Sequence, residues 1–283
     1  MLRRVVLAVV VAGAISSCKR APKANPAHAG KRAVALTPSF TEIVFALDRG
    51  GDLVGVDQYS DYPAPAQALP RVGDFLTPNV EAIVALSPDV VFVSDVQADA
   101  GRALRDVGIH TVELPVLTVD QVHAAIDVIG RELGAEAEAR ALNARLRAEL
   151  ADAAKLAGSG PRVRALLVVD RELGGLASMV VAGPSSYLDD LVTRAGGVNV
   201  IDDASGGYIR IAPETVVERA PDVILDAVHT SDVAHAVADW DTLATVPAVK
   251  NQRVIVFADR AVVTPGPRLG AVVRRIAQAL HKR

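Results

Sequence analysis

Short apolar runs rich in valine and isoleucine alternate along this chain with stretches of helical periodicity, and one long helical stretch interrupts the alternation. The interruption runs from Val119 to Ala157 and contains only two glycines, Gly130 and Gly134. Alternating strands and helices are typical of a mostly parallel sheet that is covered on both faces. We therefore predict an α/β protein of two Rossmann-like lobes with mostly parallel sheets, bridged by one long rigid α-helix.

The apolar runs predict four strands in each lobe, because they are rich in β-branched residues and bounded by turn residues. Lobe boundaries follow from the interruption: an N-terminal lobe over 32–117, bridging helices over 118–160 and a C-terminal lobe over 161–283. Within the bridge we expect one helix to about Leu133 and a longer one from about Glu136. The first helix of the chain, Ser39–Leu47, is expected to have Ser39 or Thr41 as its N-cap. The predicted strands are Ala33–Leu36, Leu53–Val56, Val90–Val93, Thr111–Leu114, Arg164–Val169, Val198–Ile201, Val223–Asp226 and Val254–Phe257.

The two halves also resemble each other in sequence. Residues 80–91 read VEAIVALSPDVV and residues 213–224 read PETVVERAPDVI, so in each half a glutamate precedes Pro-Asp by seven positions and an apolar run follows. A Gly-Gly pair precedes a strand at Gly50 and again at Gly196. Helix–strand units produce some similarity of this kind by chance, but two matches favour an internal duplication.

The first residues are typical of an exported protein. Arg3 and Arg4 precede a short apolar run, which is too short to span a membrane but suits a signal peptide over 1–17. The letters Ile15-Ser16-Ser17-Cys18 resemble the bacterial lipobox, whose cysteine is acylated, and they predict a lipoprotein anchored at Cys18 with a flexible tether over 18–31. The alternative is an ordinary cleaved signal with an incidental thiol. Both interpretations place the protein outside the cytoplasm, in the periplasm or at the cell surface.

Composition excludes several classes of function. One cysteine cannot form an intramolecular disulfide or a multi-cysteine metal cage. A formal net charge of −3 provides no global basic field for nucleic acid. The six histidines are scattered, and the motifs G-x-S-x-G, G-x-x-x-x-G-K-[ST], G-x-G-x-x-G and H-E-x-x-H are absent from the sequence. We therefore predict neither an enzyme nor a resident metal or cofactor, and keep a secreted two-lobed enzyme such as a transferase as the alternative.

From about Arg32 onward, the sequence resembles the substrate-binding proteins of ABC importers for cobalamin, haem and ferric siderophores. Its most specific segment is VGVDQYSDYP at residues 54–63, followed by LPRVG at 69–73 and NVEAIVALSPD at 79–89. The second half contributes AGGVN at 195–199 and IAPETVVERAPD at 211–222. The first of these segments is most similar to the cobalamin-binding branch.

This resemblance implies a monomeric receptor that captures a metal chelate between its lobes and delivers it to a permease and ATPase complex. Cobalamin is the first expectation, and haem or a ferric siderophore is the alternative. Glu81 and Glu214 match the family positions that pair with arginines on the permease. Each glutamate also begins a predicted helix, where a carboxylate is favourable in any protein, so helix stabilisation is the competing explanation.

Ligand contacts are expected in loops at the carboxyl ends of the strands. Aromatic rings there suit a planar macrocycle or chelate, and an arginine suits a haem propionate or siderophore. For these side chains, loop anchoring or surface solvation is the alternative. We expect Trp240 to be packing, and Ser185 or Ser186 to cap a helix rather than to bind ligand. The candidate ligand-binding residues are Tyr59, Tyr62, Phe75, Tyr208, Arg210 and Arg268.

Overall fold

The computed structural model describes residues 30–156, 160–203 and 205–281. In the N-terminal lobe, four parallel strands lie in the order β2-β1-β3-β4. Helices connect these strands in the way that parallel pairing requires. The strands are β1 (Ala33–Ala35), β2 (Leu53–Val56), β3 (Val90–Val93) and β4 (Thr111–Glu113), and the helices are α1 (Pro38–Ala46), α2 (Val80–Ala85) and α3 (Ala98–Asp106).

The C-terminal lobe contains a mixed six-stranded sheet. Its main path is β10-β9-β5-β6-β8, and β7 also pairs with β5. The β5–β7, β5–β9 and β9–β10 pairs are parallel, whereas β6 is antiparallel to both β5 and β8. The strands are β5 (Val163–Arg171), β6 (Met179–Ala182), β7 (Gly197–Asn199), β8 (Tyr208–Ile211), β9 (Val223–Asp226) and β10 (Val254–Val256), and the helices are α6 (Tyr187–Arg194), α7 (Pro213–Arg219), α8 (Val233–Ala238), α9 (Pro247–Lys250) and α10 (Leu269–His281).

The two sheets repeat one topology. The central strand β1 lies between β2 and β3, and β5 likewise pairs with both β7 and β9, with β4 and β10 at the corresponding edges. The double sequence match therefore reflects a structural repeat. The C-terminal lobe differs by its β6–β8 pair, which is antiparallel and makes that sheet mixed.

A pair of helices forms the bridge. The helix α4 (Val119–Glu132) packs against α1 of the first lobe, and α5 (Glu136–Leu156) packs against α4 and against α6 and α10 of the second lobe. Gly130 lets α4 and α5 approach closely, because a Cβ there would lie 2.6 Å from the Cβ of Ala139. A buried network also joins the helices: Asn143 Nδ2 donates to the His123 carbonyl at 3.0 Å and to Asp127 Oδ1 at 2.8 Å.

Period-two alternation in the central strands divides the core into three parts. Ala33 and Ala35 of β1 face a cluster shared by both lobes, whereas Val34 between them faces a cluster confined to the first lobe. In β5, Ala165 and Leu167 face the shared cluster, and Leu166 faces one confined to the second lobe. The shared cluster includes residues of both sheets and of α4, α5, α6 and α10, so a single apolar core runs through the bridge.

Two details differ from the expectations. Strands β6 and β8 were not predicted, because they pair antiparallel and lie outside the strand–helix alternation on which the predicted strands depend. The N-cap of α1 is Thr37, whose side chain accepts from the Phe40 N–H at 3.3 Å, so the predicted caps Ser39 and Thr41 are wrong. Pro38 explains the earlier start, because proline suits the first position of a helix.

The signal peptide, Cys18 and most of the tether over 18–31 lie outside the described residues, and the lobe boundaries at 117/118 and 160/161 stay predictions. None of the helices in the described ranges combines the length and apolarity that crossing a bilayer requires.

Candidate functional site

The loop that carries Tyr59 and Tyr62 is built on a buried aspartate. Asp57 directly follows β2 and is 1% exposed. Its carboxylate accepts the Ser60 hydroxyl and the Tyr59 N–H, the latter at 2.9 Å. Burial raises the pKa of Asp57 above its usual value, and its hydrogen bonds to Ser60 and Tyr59 oppose that rise. The first turn of the loop is thus fixed from inside the lobe.

Two further contacts fasten the same loop. Arg71 Nη1 donates to the Asp57 carbonyl at 2.8 Å and to the Ser60 carbonyl at 2.9 Å. The hydroxyls of Ser60 and Thr41 lie 2.8 Å apart, which ties the loop to α1. With its backbone held in this way, the loop leaves Tyr59 36% and Tyr62 52% exposed.

Two arginines of the opposite lobe lie over these tyrosine rings. Both belong to the segment between β10 and the first turn of α10. The Cζ of Arg260 lies 4.8 Å from the centroid of the Tyr59 ring, and that of Arg268 lies 4.3 Å from the centroid of the Tyr62 ring. Guanidinium groups at this distance are attracted by the aromatic face. The two lobes therefore meet through two matched arginine–tyrosine contacts, with loops at the carboxyl ends of β2 and β10 on either side.

A buried carboxylate neutralises one of these arginines. Glu42 of α1 is 3% exposed, and its Oε2 accepts from Arg268 Nε at 2.7 Å while its other oxygen accepts from Nη2. Burial raises the pKa of Glu42 above its usual 4.5, and the hydrogen bond and charge of Arg268 act against that rise. Arg268 was predicted to contact ligand. Both Nε and Nη2 of Arg268 donate to Glu42, so Arg268 joins the two lobes, and its role toward a ligand stays a prediction.

Arg260 and His229 were missed by the sequence analysis. His229 lies just beyond the carboxyl end of β9, and its pKa is lowered by burial and then by the positive charge of Arg260, against the opposing charges of Asp170 and Asp259. Among the described residues no carboxylate forms an ion pair with Arg260. The signal that could have found both residues is their position after a predicted strand, at the edge where ligands bind in α/β folds.

Tyr208 lies at the start of β8 and is 44% exposed. Its ring is close to the fully buried Tyr187, and burial raises the pKa of the Tyr208 hydroxyl to about 12. Tyr187 in turn donates to the Val262 carbonyl at 3.0 Å. Tyr208 is thus connected through Tyr187 to the segment that carries Arg260, and both phenols remain protonated at neutral pH.

The remaining predicted ligand residues lie outside the arginine–tyrosine contacts. Phe75 is half-buried in the loop before α2, where its carbonyl accepts from Gln97 Nε2 at 2.9 Å. Arg210 lies on the same face of β8 as Tyr208 and donates to Ser178 Oγ at 2.7 Å. Roles for both stay predictions.

Two expectations of structural roles are confirmed. Trp240 is fully buried and donates to Asp226 Oδ2 at 2.9 Å. Ser186 caps α6, where its hydroxyl accepts the Asp189 N–H at 3.1 Å. Neither residue is therefore needed to explain a ligand site.

Glu81 and Glu214 occupy the first turns of α2 and α7 and are exposed. Their N-caps are Asn79, whose side chain accepts the Ala82 N–H, and Ala212, which makes no side-chain cap. Neither glutamate is itself the N-cap, so both carboxylates project from helix surfaces that remain accessible.

Taken together, these residues form an aromatic and cationic junction between the two lobes. Tyr59 and Tyr62 supply apolar faces with polar edges, and Arg260 supplies a positive charge. Within the residues that the structure describes, no three His, Cys, Asp or Glu side chains cluster as metal ligands would.

The sequence is similar to those of two known proteins that are both named as binding proteins. The chain is 30% identical over 264 residues to the uncharacterized ABC transporter substrate-binding lipoprotein YvrC of Bacillus subtilis, covering 89% of this chain and 80% of YvrC. It is 29% identical over 233 residues to the vitamin B12-binding protein of Salmonella typhimurium, covering 78% of this chain and 82% of that protein.

Solved structures agree with the fold. The periplasmic haem-binding protein of Pseudomonas aeruginosa superposes with a TM-score of 0.79 at 25% identity, covering 89% of this chain and 93% of that one. The apo form of the periplasmic haem-binding protein RhuT from Roseiflexus superposes with a TM-score of 0.77 at 27% identity, covering 89% and 98%. Residues 34–261 match the sequence profile of the periplasmic binding proteins, and the chain belongs to that family.

Proposed function

We propose that this protein is the substrate-binding protein of an ABC importer and captures a metal chelate between its two lobes. The observation that carries the proposal is the pair of arginine–tyrosine contacts across the lobe junction, where Tyr59 and Tyr62 face Arg260 and Arg268. A ligand entering there displaces one cation from an aromatic face and takes its place.

Cobalamin is the first candidate ligand. The relative from Salmonella typhimurium is named as a vitamin B12-binding protein, and the YSDYP loop is the segment most similar to that branch. A corrin ring offers a broad surface for tyrosine faces, and its neutral amide side chains suit phenol hydroxyls. Burying a tyrosine face against it contributes about 1–2 kcal/mol.

Haem is the second candidate, and one observation favours it. Arg260 forms no ion pair with a carboxylate of the described residues, and a guanidinium matches the geometry of a propionate. Tyr208 and Arg210 share a face of β8, where they add an aromatic ring and a guanidinium group in the second lobe. Ferric siderophores belong to the same set of candidate ligands, because their carboxylate or hydroxamate oxygens would bind the same arginine and tyrosine side chains.

The decisive experiment is a titration of the mature protein with cyanocobalamin, haemin and a ferric siderophore, followed by absorbance and thermal shift. We expect one of the three to raise the melting temperature without being consumed, because a ligand that binds only the native state stabilises it. Tyr59→Ala is expected to weaken binding roughly tenfold. Exposed Leu76, which lies in a different loop, provides the control Leu76→Ala with unchanged affinity. Turnover of any ligand would instead favour the secreted enzyme.

The receptor is proposed to act at the membrane. Glu81 and Glu214 are accessible on α2 and α7, one in each lobe, and we assign them to docking on the permease. Acylation at Cys18 would hold the protein near that permease, in the periplasm or at the cell surface. Charge pairs of this kind supply register and steering more than affinity. Reversing both to lysine is expected to abolish transport and leave ligand affinity unchanged.

A further inference from the structure

One side of the lobe junction is occupied by two charges that neutralise each other. Arg268 donates to both oxygens of Glu42, from Nε at 2.7 Å and from Nη2. Of the two side chains, the carboxylate is buried and only the arginine, at 24% exposure, reaches the surface of the junction. A ligand that enters there meets a guanidinium group with a carboxylate on its buried side.

The helix that carries Glu42 is fixed in the first lobe. Its neighbours Phe40, Ile43 and Val44 are fully buried in α1. The same helix packs against α4 of the bridge. The carboxylate therefore stays where the fold places it, at the contact between the lobes.

The segment that carries Arg268 rests against the same helix. Pro265 and Pro267 flank Gly266, and proline restricts the backbone to one value of φ. A Cβ at Gly266 would lie 3.6 Å from the carbonyl oxygen of Ser39 in α1. The Glu42–Arg268 pair thus belongs to a fixed contact between the lobes and differs from a mobile ion pair on a surface.

The second arginine of the junction has no such partner. Arg260 lies over the Tyr59 ring and is exposed. Its neighbour Asp259 pairs with Arg275 at 2.9 Å, and within the part of the chain that the structure describes no carboxylate forms an ion pair with Arg260. Of the two arginines that face tyrosine rings, only Arg260 therefore offers an uncompensated charge to a ligand.

An anionic group on a ligand would meet different conditions at the two arginines. At Arg260 it would find a free guanidinium fork. At Arg268 it would share the cation with Glu42, and two carboxylates repel each other strongly where little water screens them. Displacing Glu42 instead would leave a buried charge without a partner, which is strongly unfavourable.

We propose that Glu42 selects the ligand by charge, because it reserves Arg268 for the lobe contact and directs any anionic group of the ligand to Arg260. The inference rests on the proposed function. It narrows the ligand class to chelates whose edge is neutral where it meets Tyr62 and Arg268, such as an edge of amides. Proteins commonly reject a wrong ligand through a like-charge contact of this kind.

A matched pair of ligands tests the proposal. Haemin and haemin dimethyl ester share one ring and differ in the charge of the two propionates. Glu42→Gln keeps the size of the side chain and an acceptor for Arg268 but removes the negative charge. We expect it to raise the affinity for haemin roughly tenfold, through a gained charge-assisted hydrogen bond, and to change the affinity for the ester by less than about twofold.

The control removes the same charge far from the junction. Glu132 pairs with Lys31 at 3.5 Å, just before β1 and therefore at the opposite ends of the strands. Glu132→Gln is expected to leave both affinities unchanged. All titrations are followed by the absorbance of the porphyrin near neutral pH.

Two further variants complete the test. Arg260→Gln, which does not depend on the stability of Glu42→Gln, is expected to weaken haemin binding roughly tenfold and ester binding by less than about twofold. Adding Arg268→Met to Glu42→Gln is expected to cancel the gain in haemin affinity, because the freed cation is gone.

Four results would overturn the proposal. They are equal changes for the two porphyrins in Glu42→Gln, equal losses for both in Arg260→Gln, a haemin gain that survives Arg268→Met, and no haemin binding by either the wild type or Glu42→Gln. The proposed function is judged separately, by titration of the wild type with cyanocobalamin, haemin and a ferric siderophore. It fails if none of the three binds, whatever the variants show.

Discussion

At the residue scale, Arg260 and His229 form a coupled pair that can be measured without knowing the ligand. The positive charge of Arg260 contributes to lowering the pKa of His229, after burial. Arg260→Gln removes that charge, so the pKa of His229 is expected to rise toward 6.5, as followed by NMR titration of the imidazole proton. Arg210→Gln removes another candidate cation and is expected to leave the pKa of His229 unchanged. An unchanged pKa of His229 in Arg260→Gln would show that the charge of Arg260 does not act on His229.

The residues of the lobe junction illustrate what the sequence could predict at this scale. Tyr59 and Tyr62 were predicted from their loop and do lie at the junction, because their position after β2 is a local property. The sequence could not predict that Arg268 is bound to Glu42, which is 226 positions away. Only the fold brings these charges together, and only the fold places Arg260, which the sequence analysis missed, over the Tyr59 ring.

At the element scale, the loop after β2 depends on Asp57. Asp57→Ala removes the acceptor for the Ser60 hydroxyl and the Tyr59 N–H, and it leaves buried donors unpaired, which costs about 1–3 kcal/mol. We expect that decrease in the free energy of unfolding by urea denaturation, together with weaker ligand binding. Asp61, exposed and paired with Arg71 at 3.4 Å, gives the matched control Asp61→Ala with a change near zero. Equal effects of the two variants would contradict this role for Asp57.

The long helices and the strands within the strand–helix alternation were predicted, whereas the strands outside that alternation were not. The α4 and α5 helices appear close to their predicted bounds, since periodicity over 14 and 21 residues is a strong signal. Strands β6 and β8 pair antiparallel with each other and lie outside the alternation. Their pairing is set by the sheet, not by the local sequence, and Tyr208 and Arg210 were therefore placed in a loop rather than on a strand.

At the scale of the whole molecule, the Glu42–Arg268 pair joins the lobes and should make stability depend on pH. Arg268→Met leaves a buried carboxylate without its partner, which costs roughly 3–5 kcal/mol. The double variant with Glu42→Gln is expected to recover most of that loss. Thermal denaturation of Arg268→Met, Glu42→Gln and the double variant, each compared with wild type, measures the coupling, and additive effects would contradict it.

The pH dependence of this pair has a definite sign. The folded-state pKa of Glu42 is raised above 4.5, so the folded protein binds more protons than the unfolded chain just above that pH. Its contribution to stability therefore falls as pH rises from 4.5 through the folded-state pKa. Arg268→Met is expected to steepen this fall, because the opposing charge is gone, and Glu42→Gln to remove it.

The lobes should nevertheless move little when ligand binds. The shared apolar core runs from one sheet through α4 and α5 to the other, and opening the lobes widely would expose it. We expect small-angle scattering to give the same radius of gyration for the protein alone and with saturating ligand, as for a rocking of a few degrees rather than a wide hinge closure. The double variant Arg268→Met with Glu42→Gln is expected to behave like wild type in this measurement, since the core and not the ion pair limits the motion. A large compaction on binding would show that the bridge bends, and a compaction confined to the double variant would assign the restraint to Glu42 and Arg268 instead.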